Sequence, residues 1–450
     1  MRSLYNYIIF CLVLLFSTEV FSQGKFVMNS ESSKRINFEF ASNLMVIPIE
    51  INGVELSFVL DTGVSKPILF NLTERDSLNL KNTNTFYLHG LGGNGKIEAL
   101  KSGQNKFRIG DAINTNQDLY VVFDKSIDFT PRLGVLVHGI IGYDIFKDFI
   151  VEVNYSSKYI KLHNPSTFKK RFSKKWSTIP IEIYSKKPFI NTQVQIQDDM
   201  KDVKLLIDTG SSDALWLFED IERGILPNDS LFFNDYLGKG LSGSVYGKRS
   251  KVEKFNISNF SLKKVNVAFP DSLSVDKAKT FKERNGSLGG YILKRFNLFF
   301  DYSNGVLYLK KNPNFKSPFT YNNSGIVLEH NGTMFVRERI KVPSKSYGLK
   351  NDDNAVQIDL SYNYAMVLKP AYKIAELRAS SNAYKAGLRI GDILISIDGK
   401  LAYNLKLSVI NQILHGKTGT TVRVRTERNG IEMSFKFKLD GAFKKQEPSG

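Results

Sequence analysis

Along most of the chain, apolar positions alternate with polar ones or gather in short β-branched runs cut by Gly, Asn and Asp. Such runs fall at 45–51, 107–109, 120–123, 179–183, 192–196 and 265–269, and they predict a mainly β protein with little helix. The pattern also repeats. Leu60-Asp61-Thr62-Gly63 ends one apolar run and Ile207-Asp208-Thr209-Gly210 ends another. Gly139-Ile140-Ile141-Gly142 and Gly286-Ser287-Leu288-Gly289 follow at the same distance, since 142 − 61 = 81 and 289 − 208 = 81. An aromatic-rich strand pair closes each copy, at 149–165 and 297–313. The expectation is two tandem related β lobes, 34–165 and 177–313, joined by a linker at 166–176.

Residues 319–440 change character. A helix is predicted at 407–414, where Val409, Ile410, Ile413 and Leu414 fall at helical spacing. Strands at 422–426 and 431–439 flank Arg428-Asn429-Gly430, a hairpin signal. A small α+β domain is expected there, with an insertion at about 335–370 and a tail at 441–450. Three folded units suit a length of 450 residues.

The N-terminus reads differently. Arg2 precedes an apolar run over 7–16, and Val20-Phe21-Ser22 suits cleavage before Gln23. This is the pattern of a signal peptide over 1–22, too short in its apolar part to span a bilayer. The mature chain is expected to be exported, periplasmic or extracellular, a monomer, and without a transmembrane segment. Residues 23–33 are a candidate pro-segment. Lys and Arg number 62 against 44 Asp and Glu, a formal charge of +18. The densest basic cluster, Lys169-Lys170-Arg171 with Lys174 and Lys175, falls in the linker and reads as solvated. No nucleic-acid motif accompanies it, so nucleic acid is not an expected partner. The single cysteine, Cys11, excludes a disulfide framework, and the five histidines form no HxxxH pair. No metal and no cofactor are expected.

Two Asp-Thr-Gly turns carry the chemistry. An apolar strand ending in this turn delivers a carboxylate at its tip. The glycine permits a tight turn, with its N–H close to the Asp. The Thr hydroxyl can bond across to a partner turn. Two such loops about a pseudo-twofold axis bring two carboxyl groups to one water, and like charges that close share a proton. One then takes a proton from water while the other polarises a carbonyl, so a peptide is hydrolysed without covalent intermediate or metal.

On these residues the chain resembles the retropepsin/pepsin superfamily of aspartic proteases. Asp208-Thr209-Gly210-Ser211-Ser212 followed by Leu215-Trp216 is similar to the pepsin-type active-site stretch, and Ile140-Ile141-Gly142 and Ser287-Leu288-Gly289 to the segment that threads beneath it. The resemblance implies a two-lobed acid protease fold and Asp61 and Asp208 as the catalytic pair, with Thr62, Gly63, Thr209, Gly210 and Ser211 in the active-site loops. It departs at Val64, where pepsins carry a hydroxyl, which removes an outer hydrogen bond to Asp61, and at Ser287, where an apolar residue is usual. Flap candidates are Gly90, Gly92 and Gly93 in one Gly-rich loop, and Ser242, Gly243 and Tyr246 in the other. Ala386-Gly387-Leu388, Gly391-Asp392 and Asp398-Gly399 are similar to the core of bacterial PDZ domains. That similarity implies capture of polypeptides or peptide C-termini, with Ser324, Gly325, Ile326 and Val327 as the carboxylate loop. The whole is similar to a PDZ-containing aspartyl protease family of Bacteroidetes-type bacteria. The expected function is an exported aspartic endopeptidase; the alternatives are an inactive pseudoprotease that scaffolds envelope polypeptides, and an envelope sugar-binding or adhesion β-protein.

Overall fold

The structure, a computed structural model, describes residues 24–72, 78–92, 95–124, 126–228, 231–341 and 362–443. The expected signal peptide, Gly93, most of the 441–450 tail and the middle of the 335–370 insertion lie outside the described residues.

Hydrophobic alternation produces strands, and the strands build the same sheet twice. In the first half the order is Glu39–Ala41, Leu44–Ile51, Val54–Leu60, Gly139–Ile141, Ile68–Leu69, Ala112–Val121, Ile97–Ile109 and Asn84–Leu88. In the second it is Glu182–Tyr184, Lys187–Ile196, Asp199–Asp208, Arg284–Gly289, Leu215–Leu217, Phe260–Pro270, Gly243–Ile257 and Phe233–Gly240. Position for position the two paths are equivalent. The first hairpin turns at Asn52 and Gly53, both at positive φ (50° and 92°), the twist that suits adjoining strands. Each Asp-bearing strand then runs parallel to its apolar-Gly strand, Leu60 beside Ile141 and Ile207 beside Leu288. Side chains such as Phe58, Leu60, Phe107, Ile141, Leu205, Ile207 and Leu288 are fully buried beneath these pairs. Each contributes about 1.5–3 kcal/mol on leaving water.

The aromatic strand pairs become the two halves of one six-stranded sheet beneath both lobes. Its order is Ile36–Asn37, Tyr159–His163, Ile150–Asn154, Phe296–Asp301, Val306–Lys311 and Ser177–Pro180. Its central register pairs Val151 with Phe300 and Val153 with Leu298. The lobes are offset by 208 − 61 = 147, which makes Val151 equivalent to Leu298 and Val153 to Phe300. The pairing therefore maps onto itself, and a pseudo-twofold axis passes through it.

The linker is not simply solvated. Its basic side chains are exposed, but Phe168, Phe172 and Trp176 pack around Phe299, and Phe172 stacks on Tyr308 at 4.0 Å. Lys170 lies 3.8 Å above the Phe299 ring. The aromatic spacing between the lysines straps the linker to the shared sheet. Residues 24–33 also pack, against the back of the first lobe rather than in the cleft. Phe26 is buried, its N–H donates to Asp148 Oδ2 at 2.8 Å, and Val27 bridges Ile113.

The C-terminal unit has its own sheet, ordered Ile326–Lys341, Tyr362–Leu377, Ile393–Ile397, Thr421–Arg428 and Ile431–Lys438, with the helix Leu407–Leu414 packed on it. The 335–370 segment enters and leaves as a continuation of the first two strands, which pair out to Lys341 and Tyr362. The expected turn at Arg428-Asn429-Gly430 has Asn429 and Gly430 at φ 51° and 79°.

Candidate active site

The two Asp-Thr-Gly turns meet at the centre of the molecule, on the pseudo-twofold axis. Gly63 N–H donates to Asp61 Oδ1 at 2.7 Å, and Gly210 N–H donates to Asp208 Oδ1 at 3.0 Å. The turns grip each other through their threonines. Thr62 Oγ1 donates to the Ile207 carbonyl at 2.6 Å and accepts the Thr209 N–H at 3.0 Å. Thr209 Oγ1 donates to the Leu60 carbonyl at 2.7 Å and accepts the Thr62 N–H at 3.0 Å. Both threonines are buried, so each hydroxyl satisfies two backbone groups that have no water. Close approach explains the glycines. A Cβ at Gly210 would stand 2.2 Å from Asp61 Cγ, and one at Gly142 would stand 1.8 Å from the Asp61 carbonyl oxygen.

The Asp61 and Asp208 carboxyls are within hydrogen-bonding reach of each other. Burial, then repulsion by Asp208, pushes Asp61 up to about 7. Burial also raises Asp208, but Arg284 and Lys187 oppose it. The expected asymmetry at Val64 is absent. Val64 packs on the apolar cluster of the first lobe, and among the described residues the Ser211 hydroxyl makes no hydrogen bond to Asp208 either.

Both Gly-rich loops close over the dyad, tip to tip. Gly90 N–H donates to Ser242 Oγ at 3.0 Å, and Ser242 N–H donates to the Leu91 carbonyl at 3.0 Å. The tips exchange leucines. Leu91 packs among Trp216, Leu237, Val245 and Ala268 of the second lobe, and Leu241 packs on the cluster of the first that holds Leu44, Val59, Ile68 and Ile140. Gly92, at φ 103°, lies so close that a Cβ there would stand 2.1 Å from the Gly243 carbonyl oxygen. Tyr246 is exposed and set back from the tips, its ring 5.6 Å from that of Tyr236.

The sequence reading missed several residues of this site. Lys187 and Arg284 line the cleft beside the dyad. Arg284 is buried, with Nη2 donating to Ser287 Oγ at 2.7 Å and Nε to the Gly286 carbonyl at 3.1 Å. The Ser287 departure was the available signal: a hydroxyl where the other lobe has Ile140 calls for a polar neighbour. Arg132 was also missed. It reaches Glu329 at 3.3 Å and Glu376 at 3.0 Å in the C-terminal unit and lies 4.4 Å over the Tyr236 ring of the second flap.

The C-terminal groove runs between the start of strand Ile326–Lys341 and helix Leu407–Leu414. That strand is at the sheet edge, so a further strand can add to it. The groove and the cleft over the dyad form one continuous cavity of about 1320 Å³, lined by Asp61 and Asp208 at one end and by Ile326, Val327, Asn411 and His415 at the other. The expected carboxylate loop is folded on itself. Asn322 Oδ1 accepts from Ser324 N and Gly325 N at 3.1 Å each, and Ser324 Oγ accepts from Ile326 N at 3.1 Å. These donors are satisfied by neighbouring side chains, so a chain end that binds there must displace them.

Comparison with known proteins agrees with this geometry. Residues 47–145 match the family described as Aspartyl protease, a span that runs from the first hairpin past Asp61 to Gly142. Residues 373–428 match the PDZ domain family. A stretch of 75 residues is 35% identical to the Serine protease Do-like HtrA of Lactobacillus helveticus, covering 16% of this chain and 18% of that protein. The chain thus spans under a fifth of that relative's length. With its mainly β fold, this chain carries an aspartyl protease domain, followed by a PDZ domain.

Proposed function

We propose that the protein is an aspartic endopeptidase that hydrolyses peptide bonds with a water held between Asp61 and Asp208. The observation that carries this reading is the reciprocal threonine grip, which holds two carboxyls within hydrogen-bonding reach on a pseudo-twofold axis. The pair carries one proton, resident mainly on Asp61, because Arg284 favours ionised Asp208. Asp208 takes a proton from the water as its oxygen attacks the scissile carbonyl carbon. Asp61 gives its proton to the carbonyl oxygen, leaving a neutral gem-diol. Collapse of the diol breaks the C–N bond, with a proton passed from Asp208 to the leaving nitrogen and one returned to Asp61. The interlocked flaps must part to admit the chain and then exclude water from around it.

In this reading the PDZ groove holds a neighbouring stretch of the same polypeptide, because groove and cleft share one cavity. The reading includes export, which rests on the apolar run at 7–16 and the cleavage pattern at Ser22. A second reading, a pseudoprotease that holds envelope polypeptides, draws on the same flap interlock, which covers the dyad with the protein's own leucines.

The test is incubation of a denatured protein with wild type, Asp61→Asn and Asp208→Asn, with new chain ends identified by mass spectrometry. The proposal expects cleavage by wild type alone. Full cleavage by either variant contradicts the dyad, and tight binding without cleavage at any pH favours the second reading.

A further inference from the structure

The pseudo-twofold repeat provides an internal control, because every cleft position in one lobe has an equivalent in the other. Val46 pairs with Val59 in the first lobe as Phe189 pairs with Leu206 in the second. Leu44 and Lys187, each two residues before, are therefore equivalent. The offset of 208 − 61 = 147 makes Val137 equivalent to Arg284 and Ile140 to Ser287. In the first lobe these three positions are Leu, Val and Ile, and all belong to one buried apolar cluster beside the dyad. In the second they are Lys, Arg and Ser, and all three line the cleft.

This is a built site rather than scattered surface charge. Arg284 is 8% exposed and Ser287 is 4% exposed. Two of the three guanidinium nitrogens are fixed, Nη2 on Ser287 Oγ at 2.7 Å and Nε on the Gly286 carbonyl at 3.1 Å. Nη1 makes no such bond among the described residues. Lys187 and Arg284 line the same cleft, with the Lys187 ammonium within electrostatic range of Arg284 and of both carboxyls of the dyad. Beyond the dyad itself, nearby acids are committed elsewhere: Asp213 binds Arg249 at 2.6 Å, and Glu283 binds Lys204. A single ionised carboxylate on Asp208 balances only one of these two desolvated cations, and the other calls for a further anion.

We infer that Lys187, Arg284 and Ser287 form a carboxylate-binding subsite in the second lobe, opposite an apolar subsite in the first. The enzyme then cleaves between an apolar residue and a residue that presents a carboxylate. That carboxylate is an Asp or Glu side chain or a free chain end, since a lysine and an arginine recognise the same group in both. This inference deepens the proposed function and rests on it for the cleavage step, but binding at the subsite does not depend on turnover.

The experiment therefore measures binding. Peptides with a hydroxyethylene group in place of the scissile amide cannot be cut. In one series the residue at each flanking position in turn is Glu, Gln or Leu; in another the peptide ends at that residue as carboxylate or amide. Calorimetry at pH 6 with wild type is expected to give Glu an advantage of about tenfold or more over Gln at one flanking position only. The chain-end pair reports whether a terminal carboxylate has the same advantage. Lys187→Met is expected to remove most of the Glu advantage while leaving the Leu peptide bound. Equal affinity for Glu and Gln at both positions, or no binding by any peptide, overturns the inference. If the two cations only tune the dyad, Lys187→Met shifts the pH profile while the wild-type Glu-to-Gln ratio stays at one, which also overturns it. Should Lys187→Met fail to fold, the wild-type ratio decides alone. A clear Glu preference here, together with no cleavage of denatured protein by wild type, would defeat the hydrolytic reading and leave the subsite standing.

Discussion

Replacing Asp61 with Asn should stabilise the protein at neutral pH and do nothing in acid. Burial and Asp208 raise the Asp61 carboxyl from 3.8 to about 7 in the folded state. A raised carboxyl pKa means that the folded state binds the proton more tightly than the unfolded chain does. Its contribution is complete below pH 3.8 and is lost as pH climbs through about 7. Each pH unit between those values is worth about 1.4 kcal/mol, an upper bound of about 4 kcal/mol. Asp61 is half-buried beneath the flaps rather than fully enclosed, so solvent screening reduces this to about 1–2 kcal/mol. Asn cannot ionise and keeps an acceptor for the Gly63 N–H. Denaturant midpoints of wild type and Asp61→Asn, taken from pH 3 to 8, should coincide at pH 3 and diverge above about pH 5 in favour of the variant. A variant less stable at pH 7.5, or a difference flat with pH, would refute the idea that a strained carboxyl pair sits at this position.

Other consequences follow from the same contacts. Thr209→Val strips partners from the buried Thr62 N–H and Leu60 carbonyl and should cost about 2–6 kcal/mol, read as a lower melting temperature; a loss under about 0.5 kcal/mol would contradict the grip. Gly92→Val places a Cβ against the Gly243 carbonyl at φ 103° and should part the flap tips, seen as faster amide exchange over Asn84–Leu88 and Phe233–Gly240; unchanged protection would argue against the interlock. Arg132→Met removes both ion pairs to the PDZ domain and should speed proteolysis between 313 and 323; an unchanged digestion pattern would mean that the domains are held elsewhere.

The symmetric part of the molecule was legible because duplication leaves paired signals. The equal spacing from Asp61 to Gly142 and from Asp208 to Gly289 is the parallel pairing of two strands, written twice. Helix Leu407–Leu414 was legible from its apolar spacing. What breaks the symmetry was not. Lys187 and Arg284 look like ordinary strand and loop cations until register aligns them with Leu44 and Val137. Flap docking was hidden because it depends on Leu91 and Leu241 crossing to the opposite lobe, a contact between residues 241 − 91 = 150 apart. The linker aromatics were masked by neighbouring lysines that dominate local composition. That the donors of the expected carboxylate loop are taken up by Asn322 was not legible, because Asn322 lies just outside the motif.

The most direct test of the paired carboxyls is kcat/KM against pH on an unfolded peptide substrate, for wild type and Asp208→Asn. A dyad that shares one proton predicts a bell-shaped profile for wild type and loss of turnover at every pH for the variant. A profile without an acid limb, or turnover that survives in Asp208→Asn, would contradict it.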